Sequence, residues 1–324
     1  MTTTAPAEPD LELILEHKQA IAESVVELTL RHPNQRPLPA WEPGAHIDLV
    51  LGDDLVRQYS LCGDPRDLSA FQVAVLREPE GRGGSRHVHE ALQVGHRIRV
   101  RGPRNHFPLV DAKRYVFIAG GIGITPLKPM VAEIAATGRE WALVYGGRHR
   151  TSMAYLDELE QRYPGQVDIY PEHERGRINL AGALGEPGAD WEQTAVYCCG
   201  PESLLEAVEA YCATWPEGIL NIERFAPKPD AADGRRTAFQ IELAQTGRVL
   251  DVPSERSILD IIEEAGVPVL SSCQEGTCGT CETVVLSGTP DHRDSILTEA
   301  EKQTGETMMI CVSRSCSARL VLDL

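Results

Sequence analysis

The chain has 324 residues, with 31 lysines and arginines against 48 aspartates and glutamates, and its formal net charge is -17. Hydrophobic residues make up 42% of the chain, which excludes disorder throughout and allows two or three packed domains. The negative charge argues against a nucleic-acid partner, because it repels the phosphate backbone. The first residues lack a signal-peptide pattern and no apolar run reaches about eighteen residues, so we expect no membrane segment. Nine cysteines, an odd number, fit a reducing, cytoplasmic compartment.

The first part of the chain, residues 1–109, predicts an antiparallel β-barrel. From Leu11 to about Phe107 the pattern is short and alternating, with turns rich in proline and glycine between the apolar stretches. Five stretches in this part are typical of strands: VVELTL, HIDLVL, RQYSL, FQVAVLRE and RIRVRG. Five or six such strands with little helix favour a barrel.

The middle part, residues 110–227, predicts an α/β domain. The apolar stretch YVFIAG is followed by LKPMVAEIAATG, a helix pattern that ends at Gly138. Strand and helix patterns then alternate up to the stretch GILNIERF. This alternation indicates a parallel sheet with helices on both faces.

The last part predicts a linker at 228–236 and a small α+β domain at 237–324. The linker lies in a stretch rich in Pro, Asp and Gly that has no apolar period. After it, FQIELAQTGRVLDV predicts a hairpin that turns at Thr246 and Gly247. A short helix follows, with a capping box formed by Ser257 and Asp260.

Four cysteines of this last domain have the spacing C-x4-C-x2-C with a distant fourth member: Cys273, Cys278, Cys281 and Cys311. This is the pattern of plant-type [2Fe–2S] ferredoxins, whose two irons need four thiolates. Gly276 and Gly279 allow the turns of a loop that wraps round a cluster. Zinc, which is more often held by two cysteine pairs, and plain structural thiols are the alternatives. Three further cysteines are expected to be core residues: Cys62, Cys198 and Cys212.

With this pattern in place, the chain resembles the reductase components of Rieske-type oxygenases of the phthalate dioxygenase reductase and vanillate O-demethylase reductase kind. That family has a flavin domain, a nicotinamide domain and a β-grasp-like ferredoxin domain, in the order found here. The resemblance implies electron transfer from NADH through FMN and a [2Fe–2S] cluster, one electron at a time, to a partner oxygenase. Alternatives are a reductase for a cytochrome P450 or another monooxygenase, a non-enzymatic iron–sulfur redox sensor, and a zinc-stapled binding module.

Two stretches of the barrel domain are candidates for flavin binding. RQYS matches the R-x-Y-S motif of the ferredoxin–NADP reductase superfamily. Arg57 would hold the flavin phosphate, Tyr59 would lie against the flavin, and Ser60 would form a hydrogen bond near its reactive N5. A second motif would place free N–H groups at the phosphate, where a helix begins: Gly83, Gly84 and Ser85. Each motif also fits an ordinary strand or turn.

The nicotinamide motifs lie in the α/β domain. GGIGITP joins an apolar strand to a helix, as a phosphate-binding turn does, and its candidate residues are Gly120, Gly121, Gly123, Thr125 and Pro126. The resemblance places Cys199 of the CGPE stretch near the nicotinamide ring; without the Gly-Pro that follows it, a buried small hydrophobic residue would be the favoured interpretation. In the same way Phe225 would pack near the flavin and Glu223 would influence hydride transfer, although both also fit inter-domain packing.

The choice between NADH and NADPH depends on a basic stretch after the second strand of this domain. Arg148, His149 and Arg150 stand where a 2′-phosphate could bind. A basic loop at a strand end is also commonly just solvated, and the resembled family mostly prefers NADH. We therefore expect NADH.

Overall fold

The computed structural model describes residues 9–52, 55–185, 191–216, 218–228 and 236–324. The chain divides into two compact units, Met1–Glu223 and Arg224–Leu324. Most of the predicted linker, residues 229–235, lies outside the described residues. No helix in the described ranges has both the length and the apolarity needed to span a membrane.

The first unit begins with an antiparallel sheet in the order β4-β3-β6-β1-β2-β5. Its strands are β1 (Asp10–Ala22), β2 (Val25–Arg31), β3 (Ala45–Gly52), β4 (Leu55–Ser60), β5 (Phe71–Leu76) and β6 (Arg97–Asn105), and helix α1 (Gly84–Glu90) follows β5. The predicted antiparallel, barrel-like domain is confirmed, and its five predicted strands are β2 to β6. Alternate apolar side chains of the strands, with Val88 of α1, form its core.

The long strand β1 was not predicted. Only Leu13 and Leu15 are fully buried along it, and the stretch HKQA has no buried member. Leu11, Leu13 and Leu15 do alternate as strand residues do, but the second half of β1 has no such pattern, and pairing with β2 sets its conformation there.

The rest of the first unit is a parallel sheet in the order β11-β10-β7-β8-β9. Its strands are β7 (Arg114–Gly120), β8 (Glu140–Gly147), β9 (Val167–Pro171), β10 (Thr194–Cys199) and β11 (Leu220–Glu223). The helices are α2 (Ile124–Thr137), α3 (Leu156–Arg162), α4 (Glu172–Arg175), α5 (Leu180–Leu184) and α6 (Glu202–Cys212). Alternate residues of β7 enter two different cores, one with α2 and one with α6, so helices cover both faces as predicted.

Helix α2 begins at Ile124, three residues before its predicted start at Leu127. The turn GGIGITP therefore leads directly into the helix, and its proline is part of the first helical turn. A proline is tolerated there, because the N–H groups of a first turn have no partner inside the helix. Gly138 ends the helix in the left-handed conformation, as predicted.

The second unit is a mixed sheet in the order β13-β12-β18-β14-β16, with a separate two-stranded ribbon. Its elements are β12 (Phe239–Leu243), β13 (Arg248–Val252), α7 (Ile258–Glu264), β14 (Glu282–Ser287), β15 (Pro290–Asp291), α8 (Glu299–Thr304), β16 (Thr307–Met309), β17 (Arg314–Ser315) and β18 (Arg319–Leu322). The predicted β12–β13 hairpin and the capping box of Ser257 and Asp260 are both present. The three-domain fold class is confirmed.

Candidate cofactor sites

Four cysteine side chains meet in the second unit, between α7 and β14 and beside β16. Hydrogen bonds link Cys273 to Cys278, Cys281 to Cys311, and Cys273 to Cys311. Cys278, Cys281 and Cys311 are buried, and Cys273 is partly exposed. The structure therefore brings together all four residues that the spacing selected.

The loop that carries three of these cysteines directs backbone N–H groups at sulfur. The N–H of Glu275 lies 3.3 Å from Cys273 Sγ, and that of Thr280 lies 3.5 Å from Cys278 Sγ. Hydrogen bonds from Cys278 and Cys311 hold the pKa of the Cys273 thiol well below its ordinary value. The surroundings of Cys273 thus stabilise negative charge on its sulfur, as a thiolate ligand requires.

The shape of this loop depends on glycine. Gly276 and Gly279 both have positive φ, at 71° and 72°. A Cβ on Gly276 would also lie 2.6 Å from Cγ2 of Val312 and 3.0 Å from Cα of Asp294. Both the turn and the close packing therefore exclude a larger residue there.

The three hydrogen bonds connect the thiols in the order Cys278, Cys273, Cys311 and Cys281, so the two outer links form two pairs, Cys273 with Cys278 and Cys281 with Cys311. Two pairs of thiols, each able to hold one iron, fit a [2Fe–2S] cluster better than a single tetrahedral zinc ion. The donor set and its N–H groups therefore fit the predicted cluster.

The two flavin motifs of the barrel domain meet although they are about 25 residues apart. The Arg57 side chain on β4 crosses Gly84 at the start of α1, and its Nη2 donates to the carbonyl of Arg82 at 2.8 Å. A Cβ on Gly84 would overlap the Arg57 side chain and lie 2.8 Å from its Nε. The glycine is thus needed for the arginine to occupy this position.

The remaining predicted residues of the two motifs lie in the same region of the barrel. Ser85 Oγ accepts a hydrogen bond from the N–H of Glu78 at 3.0 Å, and Gly83 precedes the helix in the left-handed conformation. Burial raises the pKa of the Tyr59 hydroxyl to about 12, so the side chain is neutral.

Ser60, Cys199 and Glu223 come together where the barrel meets the parallel sheet. The buried hydroxyl of Ser60, at the end of β4, donates a hydrogen bond to the carboxyl group of Glu223. Glu223 lies beside Cys199 in the register of β10 and β11. The structure therefore joins three residues that the sequence placed in three separate motifs.

The environment of these three residues favours neutral groups. Burial raises the pKa of Glu223 to about 8, against a lowering by the Ser60 hydrogen bond. Its Oε2 atom is shielded from water and has no hydrogen-bond partner among the described residues. Burial, followed by the neighbouring Glu223, also raises the pKa of the Cys199 thiol. At neutral pH the pair therefore presents a protonated carboxyl and a protonated thiol.

Replacing Glu223 by Gln should change how stability depends on pH. The carboxyl ionises near pH 4.5 in the unfolded chain and near 8 in the folded one, so the folded state binds more protons between these values. The native protein should therefore lose about 5 kcal/mol of unfolding free energy as pH rises through this window. Glu223→Gln should lack this loss. Unfolding midpoints from about pH 5 to pH 9 measure the difference, and parallel pH profiles would contradict it.

The GGIGITP turn packs against the CGPE turn, backbone to backbone. A Cβ on Gly123 would overlap the carbonyl of Cys199 and lie 2.7 Å from the nitrogen of Gly200. One on Gly120 would lie 2.6 Å from Cδ of Pro201. Gly121 faces open space, with φ at 53°. Two of the three glycines therefore hold the turns together, and only Gly121 is open to a ligand.

The other residues predicted for this turn lie inside the fold. The Thr125 hydroxyl donates to the carbonyl of Ile122 at 2.9 Å, and both Thr125 and Pro126 are buried in the first turn of α2. The Thr125 proton is thus used within the turn. Phe225 belongs to the second unit, where 45% of its surface is exposed, and its predicted role stays a prediction.

The basic stretch after β8 lies next to the segment after β9. The rings of His149 and His173 stack with centroids 4.0 Å apart. Arg150 forms an ion pair with Glu160, whereas Arg148 is exposed and pairs with no residue that the structure describes. Arg148 is therefore the available cation at this strand end.

Comparison with known proteins places these sites in one family. Three family models match in order: an oxidoreductase FAD-binding domain at 12–108, an oxidoreductase NAD-binding domain at 117–210, and a 2Fe-2S iron-sulfur cluster binding domain at 241–319. Phthalate dioxygenase reductase of Burkholderia cepacia is 36% identical over 99% of this chain and 100% of its own. The solved phthalate dioxygenase reductase structure matches 97% of this chain and 98% of its own with a TM-score of 0.71. The chain belongs to the phthalate dioxygenase reductase family.

As a phthalate dioxygenase reductase family member, the chain is an NAD(P)H-dependent flavin iron–sulfur oxidoreductase. The predicted family and its three cofactors, a flavin, a nicotinamide nucleotide and a [2Fe–2S] cluster, are confirmed. The solved family structure is described as a modular structure for electron transfer from pyridine nucleotides to [2Fe–2S]. These matches favour the predicted enzyme over a zinc module or a redox sensor.

Two further relatives differ from each other in length. Phenoxybenzoate dioxygenase subunit beta of Ectopseudomonas oleovorans is 42% identical over 304 residues, 94% of each chain. An intact type IV self-sufficient cytochrome P450 monooxygenase is also 42% identical and matches all of this chain with a TM-score of 0.89. This chain spans only 43% of that longer protein.

Proposed function

We propose that this chain is the reductase component of a Rieske-type oxygenase system and passes electrons to an oxygenase partner of the aromatic dioxygenase or O-demethylase type. The junction of Ser60, Glu223 and Cys199 carries this proposal, because it joins the flavin motif to the nucleotide motif at one buried point. Relatives with oxygenase-system names over the whole length of the chain support it. A reducing, cytoplasmic location suits the free thiols.

The two cofactors of the first unit would be held by the residues already described. A bound flavin supplies the chemistry that takes two electrons from NADH as a hydride and releases them singly. Arg57 provides a fixed guanidinium for the phosphate, beside the turn of Gly83, Gly84 and Ser85. Ser60 offers a hydroxyl at the junction. Cys199 and Glu223 are neutral, so they add no fixed charge to the junction. We infer FMN as the flavin, because the RQYS strand has no evident aromatic platform for an adenine after it.

The second unit would hold the [2Fe–2S] cluster through Cys273, Cys278, Cys281 and Cys311. The two linked thiol pairs supply four ligands, and the N–H groups of the loop stabilise their charge. We assign residues 1–109 to the flavin, 110–227 to NADH and 237–324 to the cluster, boundaries that enclose the three matched family ranges.

A cytochrome P450 is the second candidate partner. The match to a self-sufficient P450 favours it, because the same fold there forms part of a chain that also carries a monooxygenase. In both cases the electron path inside this chain is the same, and only the acceptor differs.

The acceptor test uses the purified, cofactor-loaded protein with NADH. It is mixed with an aromatic-ring Rieske oxygenase or with a cytochrome P450, and reduction of the acceptor is followed by absorbance. The proposal predicts NADH-dependent reduction of the Rieske centre at catalytic amounts of this protein. Reduction of the P450 haem alone would favour the second candidate, and reduction of neither would contradict both.

Replacing Gly84 by Ala tests the flavin site separately. The new methyl group displaces the Arg57 side chain, so the flavin content of the purified protein should fall about tenfold or more while the barrel stays folded. Gly52→Ala, at a barrel glycine without a positive φ whose new methyl group would lie 3.6 Å from Cβ of Leu55, is the control and should keep its flavin. Equal flavin content in Gly84→Ala would show that this position of Arg57 is not needed.

A further inference from the structure

A second polar contact joins the barrel to the parallel sheet, away from the cofactor motifs. Tyr155, just before α3, donates its hydroxyl proton to Glu27 Oε2 of β2 at 2.7 Å. The same hydroxyl lies 3.2 Å from Sγ of the fully buried Cys62. One tyrosine of the nucleotide domain thus contacts two elements of the flavin domain.

Lys128 of α2 completes this contact. Its Nζ donates to the carbonyl of Cys62 at 3.2 Å and lies 4.4 Å from the centroid of the Tyr155 ring. It also forms an ion pair with Glu158 at 3.4 Å. The ammonium group therefore donates a hydrogen bond to the barrel. It also lies over the ring of Tyr155, which is itself hydrogen-bonded to the barrel.

Tyr155 is held in a conformation that a tyrosine adopts rarely. Its φ is 60° and its ψ is 13°, in the left-handed region. Bulky residues keep such angles only where their surroundings require them. Here the requirement is the bond across the domain boundary, since this conformation places the side chain between α2 and the barrel.

The position of the contact links it to hydride transfer. Cys62 follows Ser60 of the flavin motif by two residues, and Lys128 follows the last residue of the GGIGITP turn by two residues. Both motifs are therefore connected to the contact by short stretches of chain. Burial raises the pKa of the Cys62 thiol to about 12, so the thiol stays protonated and unreactive. It contributes only packing contacts here.

We propose that Tyr155, bonded to Glu27 and covered by Lys128, is a positioning residue that fixes the nucleotide domain against the flavin domain at the separation hydride transfer needs. The inference rests on the proposed function and adds a residue outside both cofactor motifs. Transfer rates depend steeply on the placement of the reacting groups, and a shift of about 1 Å can cost about a hundredfold.

Tyr155→Phe tests this, because it keeps the ring under Lys128 and removes only the hydroxyl. We expect the limiting rate of flavin reduction at saturating NADH to fall at least about tenfold. The NADH dissociation constant and the flavin and iron contents should stay at native values. Amide hydrogen exchange of residues 23–28 and 151–156 should rise, with or without flavin. The control is Tyr163→Phe, whose ring packs on Trp141 inside the nucleotide domain and should reduce at the native rate.

Two Glu27 variants keep the test decisive if Tyr155→Phe folds poorly. Glu27→Gln retains an acceptor for the tyrosine and should reduce at nearly the native rate, whereas Glu27→Ala should be as slow as Tyr155→Phe. A native limiting rate in either Tyr155→Phe or Glu27→Ala, or equal slowing in Tyr163→Phe, would overturn the inference. If NADH fails to reduce the flavin of the native protein as well, the proposed function itself is wrong.

Discussion

Replacing Cys281 by Ala should abolish electron delivery to an external oxygenase while NADH still reduces the flavin at nearly the native rate. Cys281 is one of four thiols that meet in the second unit, and its link to Cys311 completes one of the two pairs. Without it one iron lacks a ligand, so the cluster should be lost. Apart from Phe225, the residues of the flavin and nucleotide motifs lie in the first unit and should be unaffected.

The measurement combines iron analysis with two assays on the same preparation. NADH-driven reduction of the oxygenase should fall to the detection limit, and anaerobic flavin bleaching by NADH should persist. The control is Cys316→Ala, since Cys316 is exposed and stands apart from the four linked thiols. Collapse of flavin bleaching in a folded Cys281→Ala protein would mean that the order of transfer is not flavin first.

Replacing Gly123 by Ala should destabilise the nucleotide domain and abolish NADH binding. Its backbone, with φ at -61°, suits alanine, but the new methyl group would overlap the Cys199 carbonyl. Because that obstacle is backbone, the two turns must separate. Overpacking of this kind costs about 3 kcal/mol. Denaturant unfolding and NADH titration measure the two effects.

Gly121→Ala is the matched control two residues away. Its φ is positive, so alanine there costs about 1 kcal/mol, but nothing lies within 4 Å of the new methyl group. The folded domain should therefore survive in this variant. If both variants unfolded at the same denaturant concentration, packing between the turns would not be the reason for Gly123.

The cluster site could be predicted almost completely from sequence, because three of its ligands share one loop. Spacing along a short loop limits where Cys273, Cys278 and Cys281 can lie, and few cofactors need three thiols so arranged. The parallel sheet was also predictable, since its buried strands are continuous apolar runs. The full length of strand β1 was not, because the stretch HKQA in its second half has no alternation of apolar and polar residues.

The contacts between the barrel and the sheet could not be predicted in the same way. Ser60 and Glu223 were each selected by a family motif, but their hydrogen bond joins residues far apart in the chain. Tyr155 carries no motif, and its partners Glu27 and Cys62 lie 128 and 93 residues away. The role of Gly123 likewise depends on the distant Cys199. Such pairings arise from how the two sheets pack, which periodicity along a single chain does not report.

The central claim is that this one chain binds a flavin and a [2Fe–2S] cluster and that NADH reduces both. Anaerobic titration of the loaded protein with NADH, followed by visible absorbance, tests it most directly. A flavin accepts two electrons and the cluster one, so full reduction should require about 1.5 equivalents of NADH per chain, with both absorbances bleached. An end point at about one equivalent with only flavin bleaching, or a protein without iron and acid-labile sulfide, would contradict the claim.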